Sequence, residues 1–334
     1  MVKTVFKWIA KALSTGLSFV LLLWPFSPRP ACWFLRNVFR FGTYIRPKDY
    51  STLRARVKIT RSLRYASSCQ KCVLDVISPV APATGPLPVV FWLHGGAYIG
   101  GDKADVEGYC VQVAAQGYHV LNVNYPLAPE ANYPAGVRAV ADACSFAAAR
   151  ADTLGLDLSR VYFAGDSAGA QMSAQFVTAQ IDMQYARDAQ IPQIVPRESI
   201  RGVGLFCGLY DVAAYAGNFD SHTPVSYVVK RIFWGVIGDA EWRHGPELEE
   251  ASVLRHIPPC GFPPVFLTDG NIGTFTEQGM AYADALRACG TPVEDTFYPR
   301  SVTLLPHEYQ FNMRRAAARD AFRLFIEFLE RTKK

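Results

Sequence analysis

One short stretch restricts the fold of this chain more than any other. The run from Val161 to Gly169 reads Val-Tyr-Phe-Ala-Gly-Asp-Ser-Ala-Gly, and a segment typical of a helix follows it. Its apolar half has the residues of a β-strand, and its second half has the pattern Gly-x-Ser-x-Gly. A sharp turn from strand to helix strains the backbone of the central serine, and only small residues fit two positions away. The sequence therefore predicts that Ser167 is raised out of a sheet, at the N-terminus of a helix.

A second glycine motif lies about seventy residues upstream. His-Gly-Gly-Ala at 94–97 follows the uninterrupted apolar run 89–93, which predicts a buried strand. Glycines allow backbone N–H groups to approach a ligand oxygen closely. We predict that the N–H groups of Gly95, Gly96 and Ala168 form an oxyanion hole, next to a nucleophilic serine.

Three motifs together resemble those of the hormone-sensitive-lipase-like branch of the α/β-hydrolases. They are His-Gly-Gly-Ala-Tyr-Ile-Gly-Gly at 94–101, Asn-Tyr-Pro-Leu-Ala-Pro-Glu at 124–130 and Gly-Asp-Ser-Ala-Gly at 165–169. The resemblance extends from about Val73 to Phe328. It implies an α/β-hydrolase fold, with a mostly parallel central sheet flanked by helices. It also implies hydrolysis of short- to medium-chain acyl esters without a cofactor, and N-terminal helices that form part of a cap over the acyl site.

Short apolar runs alternate with helix-like segments through most of the chain, which is typical of a parallel sheet covered on both faces. Two earlier segments alternate polar and apolar residues and indicate antiparallel entry strands. The aromatic-rich stretch 210–250 has no clear period, and its place fits an inserted cap. We expect entry strands at 56–60 and 72–77, further strands at 119–124, 201–207, 265–269 and 293–298, and helices at 106–116, 134–154, 278–289 and 314–330.

The length of the chain indicates one large domain, and the spacing of its cysteines is typical of a protein without disulfides. The chain has 334 residues and 50% are hydrophobic, which favours one hydrolase domain over 51–334, preceded by a segment over 1–50. Cys69 and Cys72 are the only close pair among eight cysteines, and no second pair lies nearby. We therefore expect free thiols and no metal site.

Positive charge is concentrated near the N-terminus. Residues 1–64 hold thirteen Lys and Arg and one acid, so they carry +12, and the rest of the chain carries −7 within a net charge of +5. A basic segment on an acidic body favours an anionic surface as partner. Nucleic acid is not expected as a partner, because the basic residues alternate with long apolar runs.

The first residues are typical of a membrane-associating segment. Apolar residues recur at helical spacing over 2–13 opposite a row of lysines, and the apolar run 17–24 follows. A cleaved signal peptide would need a small-x-small site, which does not follow Trp24. A spanning anchor would leave basic residues on both sides of the bilayer, so the positive-inside rule gives no orientation.

An interfacial helix accommodates both basic flanks on one side, where anionic lipid attracts them. We therefore expect a membrane-associated protein on the cytoplasmic face, or otherwise a cytoplasmic one. A further alternative stays open, namely that residues 31–41 form a lid over the active site.

His307 is the expected general base among the six histidines, because it lies in the loop after the final strand. Its role would be to accept the proton of Ser167 and to donate it to the leaving alcohol. His94 is the main competitor, but its place in the glycine motif indicates a structural role in the oxyanion loop.

The acid that should orient the histidine departs from the family pattern. In an ungapped alignment the catalytic aspartate of the resembled family falls on Gly273, which has no side chain. Glu277, at the second acidic position of the pattern, is the preferred substitute. Asp269, at the end of its strand, is the second candidate, and the third option is that no acid is present.

Two functions are compatible with these residues. The first is a serine hydrolase that cleaves carboxylic esters, including lipid-derived ones, through an acyl-enzyme intermediate. The alternative is a ligand-binding module on a hydrolase fold, with a triad impaired at Gly273. Retention of Ser167, His307 and the oxyanion motif favours the enzyme, since a pure binder needs none of them.

Overall fold

The structure is a computed structural model, and it describes residues 26–39, 45–67, 69–81, 85–219 and 223–334. Its eight strands form one sheet in the order β1-β2-β4-β3-β5-β6-β7-β8. The strands are β1 Val57–Arg64, β2 Val73–Pro79, β3 Leu87–Leu93, β4 His119–Val123, β5 Leu156–Asp166, β6 Ile200–Phe206, β7 Val265–Asp269 and β8 Val293–Phe297.

The strands pair as the sequence predicted, with antiparallel entry strands followed by a parallel sheet. β1 pairs antiparallel with β2, β2 pairs antiparallel with β4, and every later pair is parallel. β4 is buried throughout, β3 is buried from Pro88 onward and β5 from Val161 onward, because helices cover the sheet on both sides. The α/β-hydrolase fold with its mostly parallel sheet is therefore confirmed.

Twelve helices connect and flank these strands in the described part of the chain. They are α1 Arg29–Phe39, α2 Tyr50–Ala55, α3 Lys103–Ala114, α4 Ala135–Ala148, α5 Ala151–Leu154, α6 Ala168–Ile181, α7 Met183–Asp188, α8 Val212–Gly217, α9 Pro224–Ile237, α10 Glu247–Glu250, α11 Thr276–Ala288 and α12 Ala316–Thr332. α3 and α12 pack on one face of the sheet, and α4, α6 and α11 pack on the other. The single helix expected over 134–154 is two helices, since the chain turns between α4 and α5.

The stretch 210–250 holds three helices, α8, α9 and α10, around a small core of their own. Phe233 stacks on Trp242 in that core, with ring centroids 5.0 Å apart. α1 lies against α9, where buried Cys32 shares an apolar cluster with Val236. That this stretch is a cap insertion, and that 1–50 and 51–334 are separate units, stay predictions. Residues 1–25, on which the interfacial, spanning and signal-peptide interpretations rest, lie outside the described residues.

The turn between β5 and α6 is the sharp one that the glycine pattern predicts. Ser167 has φ 51° and ψ −117°, a left-handed conformation that non-glycine residues rarely adopt. Its N–H donates a 2.8 Å hydrogen bond to the carbonyl of Phe206 on β6. A Cβ at Gly165 would lie 2.6 Å from the carbonyl oxygen of Leu93, and one at Gly169 only 2.0 Å from it. Glycine is therefore required on both sides of the serine by contact with the end of β3.

This contact predicts that Gly169→Ala destabilises the fold although alanine is the better helix former. The gain in helix propensity is about 1 kcal/mol, whereas forcing a methyl group into backbone contact costs typically 1–3 kcal/mol and more when backbone must move. Because the 2.0 Å approach requires the backbone to move, we expect urea denaturation to show a net loss of about 2 kcal/mol in the free energy of unfolding. Gly217→Ala, where an added Cβ meets nothing within 4 Å, is the matched control, and it should leave the free energy of unfolding unchanged or raise it by up to about 1 kcal/mol. Equal stability of the two variants would contradict the assigned contact.

Candidate active site

The predicted site residues meet at one edge of the sheet, where the parallel strands end. β3 leads into the glycine loop at 94–101, β5 leads into Ser167, and β7 ends at Asp269. The loop after β8 carries His307 to the same edge. This is the edge at which open α/β sheets bind their ligands.

Ser167 and His307 form a direct hydrogen bond. The distance from Ser167 Oγ to His307 Nε2 is 3.0 Å, which is suitable for proton transfer between a nucleophile and its base. The ring of Phe275 packs edge-on against the imidazole, with centroids 5.3 Å apart. Burial lowers the pKa of His307 to about 4, so the imidazole is neutral at neutral pH and can accept a proton. His94 lies apart from this pair; it is buried, stacks on Tyr125 and supports the glycine loop.

The oxyanion loop has an unusual backbone. Gly96, Ala97 and Tyr98 have φ values of 121°, 51° and 63°, so three consecutive residues lie in the left-handed region. Strain of this kind persists only where the surroundings over-determine it, and it is concentrated at functional sites. At Gly96 a Cβ would lie 2.2 Å from the carbonyl oxygen of Gly100, which explains the glycine.

Only two of the three expected oxyanion donors are available in this structure. The N–H of Gly95 donates a 2.7 Å hydrogen bond to Asp166 Oδ2, so it already has an acceptor. The N–H groups of Gly96 and Ala168 have no acceptor among the described residues. In this conformation the N–H of Gly95 holds the glycine loop against Asp166, and the oxyanion role predicted for Gly96 and Ala168 stays a prediction.

Asp166 was not singled out by the sequence analysis, yet it fastens the two motifs together. Its buried carboxyl group accepts from the N–H of Gly95 and, at 3.0 Å, from the indole Nε1 of Trp92. Burial, with nearby Glu308 as a second cause, raises the pKa of Asp166 well above its ordinary value. The signal for this residue was in the sequence, since it is the x of Gly-x-Ser next to a motif rich in N–H groups.

The two candidate acids lie in different surroundings. Glu277 is exposed in the first turn of α11, and its carboxylate makes no hydrogen bond or ion pair with another described residue. Asp269 is buried near His307, and a candidate ligand atom of each lies within 4.8 Å of the other. The geometry therefore favours Asp269, the second candidate, over the preferred Glu277.

Asp269 is surrounded by hydrogen-bond donors from the loop that follows it. Its Oδ1 accepts from the N–H of Gly270 at 2.6 Å and from the hydroxyl of Thr274, and its Oδ2 accepts from the N–H of Phe275 at 3.0 Å. Burial raises the pKa of Asp269 to about 6, and these donors oppose the rise because they stabilise the carboxylate. Thr274 Oγ1 also lies 2.9 Å from His307 Nδ1.

Gly273 stands apart from the histidine. It has φ 60°, and a Cβ built there meets nothing within 4 Å, so its side-chain direction faces open space. Position 273, where the resembled family has its aspartate, therefore holds no group that could contact the histidine. The carboxylate group that lies within 4.8 Å of a His307 ring nitrogen is that of Asp269, at the end of β7.

One group of side chains in the described residues has the spacing of metal ligands. Ligand atoms of Cys207, Asp269 and His307 all lie within 4.8 Å of one another. Each already has hydrogen-bond partners in the protein; the thiol of Cys207 donates to Gln310 Oε1 and accepts from the N–H of Glu308, both at 3.3 Å. The cluster is therefore compatible with a hydrogen-bonded support for the acid and the base.

A pocket of about 1040 Å³, part of it open to solvent, lies above Ser167 and His307. Its apolar walls come from Val38 on α1, Val106 on α3 and Phe311. A second, largely apolar cavity of about 40 Å³ lies between α6 and the helices α8, α9 and α10. The site thus combines a serine hydroxyl bonded to a neutral imidazole, two N–H groups without an acceptor among the described residues, and a largely apolar pocket.

Comparison with known proteins agrees with this architecture. Residues 90–305 match the model of a family described by the alpha/beta hydrolase fold, and the chain belongs to that family. It is 29% identical over 220 residues to esterase LipI and 29% identical over 225 residues to esterase LipC, both of Mycobacterium tuberculosis strain ATCC 25618 / H37Rv. Each match spans 65% of this chain, but only 65% of LipI and 52% of LipC.

Solved structures show the same fold at lower identity. Esterase B from Lactobacillus rhamnosis is 18% identical, with a TM-score of 0.74 over 96% of each chain. A bacterial heroin esterase is 22% identical, with a TM-score of 0.66 over 90% of this chain and 97% of that one. The family resemblance drawn from the sequence motifs is confirmed.

The geometry predicts that a fluorophosphonate reacts covalently with Ser167. Labelling should be absent in Ser167→Ala and at least about 100-fold slower in His307→Gln, which lacks the base. Glu277→Gln should label within about twofold of the parent rate, because this exposed carboxylate contacts neither residue. The rates are measured by quenched labelling and intact mass. Labelling that persists in Ser167→Ala, or that slows in Glu277→Gln as much as in His307→Gln, would contradict the site.

Proposed function

We propose that this chain is a serine carboxylesterase that works through an acyl-enzyme intermediate. The observation that carries the proposal is the 3.0 Å contact between Ser167 Oγ and His307 Nε2, on a strained turn. Beside it the N–H groups of Gly96 and Ala168 have no acceptor among the described residues. The similarity to esterases LipI and LipC supports ester bonds as the target.

The geometry supports a reaction in two halves. Ser167 Oγ attacks the acyl carbon while its proton passes to His307 Nε2, and the carbonyl electron pair moves to the oxygen between Gly96 and Ala168. His307 then gives the proton to the departing alkoxide as the ester C–O bond breaks, which leaves the acyl group on Ser167. Water repeats the attack with the same base, and the products are the carboxylic acid and the restored serine.

Asp269 is proposed as the acid of this triad. Buried negative charge within 4.8 Å of His307 stabilises the imidazolium that forms when the serine attacks. Glu277, the residue that the sequence pattern preferred, is exposed and has no such contact. The binding-module alternative was considered because Gly273 has no side chain at the usual acid position. With Asp269 as the acid, the triad is complete, and that alternative is less favoured.

The pocket supports short- to medium-chain acyl esters as substrates. About 1040 Å³ of space, part of it solvent, with walls from Val38, Val106 and Phe311, suits an aliphatic chain of modest length. No cofactor takes part in the proposed steps.

The proposed activity is tested with p-nitrophenyl butyrate. The parent protein should hydrolyse it, and Ser167→Ala should be slower by at least about 10⁴-fold, because nucleophile and base act as a unit. A series of longer acyl chains then measures the preferred length. A parent rate no faster than that of Ser167→Ala would favour the binding module instead.

The pH dependence tests the acid. Burial raises the pKa of Asp269 to about 6, so kcat/KM should fall as pH falls through about 6, where the carboxylate becomes neutral and no longer stabilises the imidazolium. Asp269→Asn should lower the rate by about 10²–10⁴-fold and remove this acidic limb. Glu277→Gln, in the first turn of α11, is the matched control and should keep both the parent rate and the acidic limb. A limb that survives in Asp269→Asn, or disappears in Glu277→Gln, would contradict the assignment.

We further propose that α1 presents the pocket to an anionic membrane surface. Its outer side exposes Trp33, Phe34 and Val38, by 60%, 53% and 45%, and Phe26 just before the helix is 78% exposed. Val38 also lines the active-site pocket, so the exposed apolar side continues into the pocket mouth. Exposed aromatic residues next to a basic segment favour the interface of an anionic bilayer, which in cells is the cytoplasmic leaflet.

Arg36 fixes α1 over the active-site loops. Its guanidinium donates to the carbonyls of Ile99 at 2.6 Å and Ala128 at 2.7 Å, and it pairs with Glu130 at 2.7 Å. Contact with the loop after Gly96 makes a lid role compatible with membrane binding. Among the described residues, no helix is long and apolar enough to cross a membrane.

Liposome sedimentation tests the membrane proposal on the full chain. Binding should be stronger to vesicles of phosphatidylcholine with phosphatidylserine than to phosphatidylcholine alone, and it should weaken with salt. Trp33→Ser combined with Phe34→Ser should reduce binding at least about tenfold, since each exposed aromatic contributes by burial in the interface. Met183→Ser, another exposed apolar residue in a different element, is the control. Equal binding by all variants, or no preference for anionic lipid, would overturn the proposal.

A further inference from the structure

We infer that Thr274 is a positioning residue that couples His307 to Asp269 in the proposed triad. The inference rests on the proposed function, and it deepens it by naming a residue that the sequence pattern of the family does not assign. Thr274 follows Gly273 directly, at the place where the chain turns back toward the histidine.

The hydrogen-bonding capacity of the three groups fixes the direction of the chain. An ionised carboxylate only accepts, so the hydroxyl of Thr274 must donate its single proton to Asp269 Oδ1. The lone pairs of Thr274 Oγ1 then remain for His307 Nδ1, 2.9 Å away, which must therefore carry a proton. With the proton on Nδ1, the lone pair of Nε2 faces Ser167 Oγ at 3.0 Å. The order Asp269–Thr274–His307–Ser167 thus selects the tautomer that can act as a base.

Asp269 has no direct hydrogen bond to His307, so the hydroxyl is the one bonded link between them in the described residues. Linked hydrogen bonds polarise one another in a low-dielectric interior, which transmits part of the carboxylate charge to the imidazole. Two N–H groups, from Gly270 and Phe275, hold Asp269 on its other sides and keep it aimed at Thr274.

The backbone at Gly273 makes this arrangement accessible. With φ 60° the chain adopts a left-handed turn that favours glycine, and the next residue faces inward. A side chain at 273 would face open space instead. The same loop conformation thus places glycine where the resembled family has its aspartate and directs the side chain of Thr274 toward the histidine.

Four variants of the full chain test the inference by hydrolysis of p-nitrophenyl butyrate: Thr274→Val, Thr274→Ser, Thr276→Val and Ser167→Ala. Valine keeps the shape of threonine without the hydroxyl, and serine keeps the hydroxyl. Thr276, the first residue of α11 and two positions further along the chain, is the matched control, because its hydroxyl donates to the carbonyl of Gly270 at 2.6 Å. Thermal unfolding midpoints check that every variant is folded.

Thr274→Val should lower kcat by about 10²–10³-fold with KM within about threefold of the parent, somewhat less than the loss of a triad aspartate in proteases. Thr274→Ser should recover to within about fivefold of the parent, and Thr276→Val should match it. The limb of the pH profile near 6 should disappear in Thr274→Val. The double variant Asp269→Asn/Thr274→Val should have a kcat less than about tenfold below that of Thr274→Val alone, because the link between acid and base is already broken.

The outcomes separate the two proposals. If Ser167→Ala abolishes activity while Thr274→Val stays within about threefold of the parent, the coupling role is wrong and the esterase proposal stands. Thr274→Ser as inactive as Thr274→Val, a persistent limb near pH 6, or additive losses with Asp269→Asn would also overturn the coupling role. Activity that survives in Ser167→Ala would overturn the proposed function itself.

Discussion

The site depends on one close backbone contact, between the end of β3 and the turn that carries Ser167. The carbonyl of Leu93 lies where a Cβ of Gly165 or Gly169 would be, so no side chain fits between the strand and the turn. This contact brings the oxyanion loop next to the serine, since the loop begins at the following residue. The buried carboxyl group of Asp166 then fastens them, because it accepts hydrogen bonds from Gly95 and from Trp92 at once. The left-handed backbone of Ser167 persists because Gly165 and Gly169, two positions away on either side, both lie against the end of β3.

The acid side of the site is built around a buried carboxylate. Removing Asp269 from water raises its pKa, and the loop from Gly270 to Phe275 opposes that cost by folding around it with two N–H groups and a hydroxyl. The loop conformation and the charge are therefore mutually dependent. The hydroxyl of Thr274 bonds outward to His307, so the same contacts that stabilise the carboxylate also orient the base. These contacts link Asp269 to His307 through Thr274, with glycine at the position where the resembled family has its acid.

Much of this architecture could be predicted from local patterns, and the rest depended on the path of loops. The apolar runs and the glycines around Ser167 predicted the strands and the sharp turn, since each reflects a contact within a few residues or with a neighbouring strand. The position of His307 after the last strand was equally informative, and the structure places it at hydrogen-bonding distance from the serine. The structure favours Asp269 over Glu277 as the acid, and the sequence alone could not show this, because an alignment fixes the order of residues and not the direction in which a side chain points. Gly95 shows the same limit, because its N–H has a buried acceptor that only the fold reveals.

The proposed mechanism requires that an acyl group forms on Ser167 and leaves by hydrolysis. The most direct measurement is rapid acid quenching of the protein mixed with p-nitrophenyl butyrate, followed by mass spectrometry of the peptide that contains Ser167. The proposed mechanism predicts a butyryl adduct on Ser167 that appears before steady state and decays when substrate is exhausted. It also predicts no adduct in Ser167→Ala. Steady release of p-nitrophenol with no adduct at Ser167, or with an adduct on another residue, would contradict the proposed mechanism.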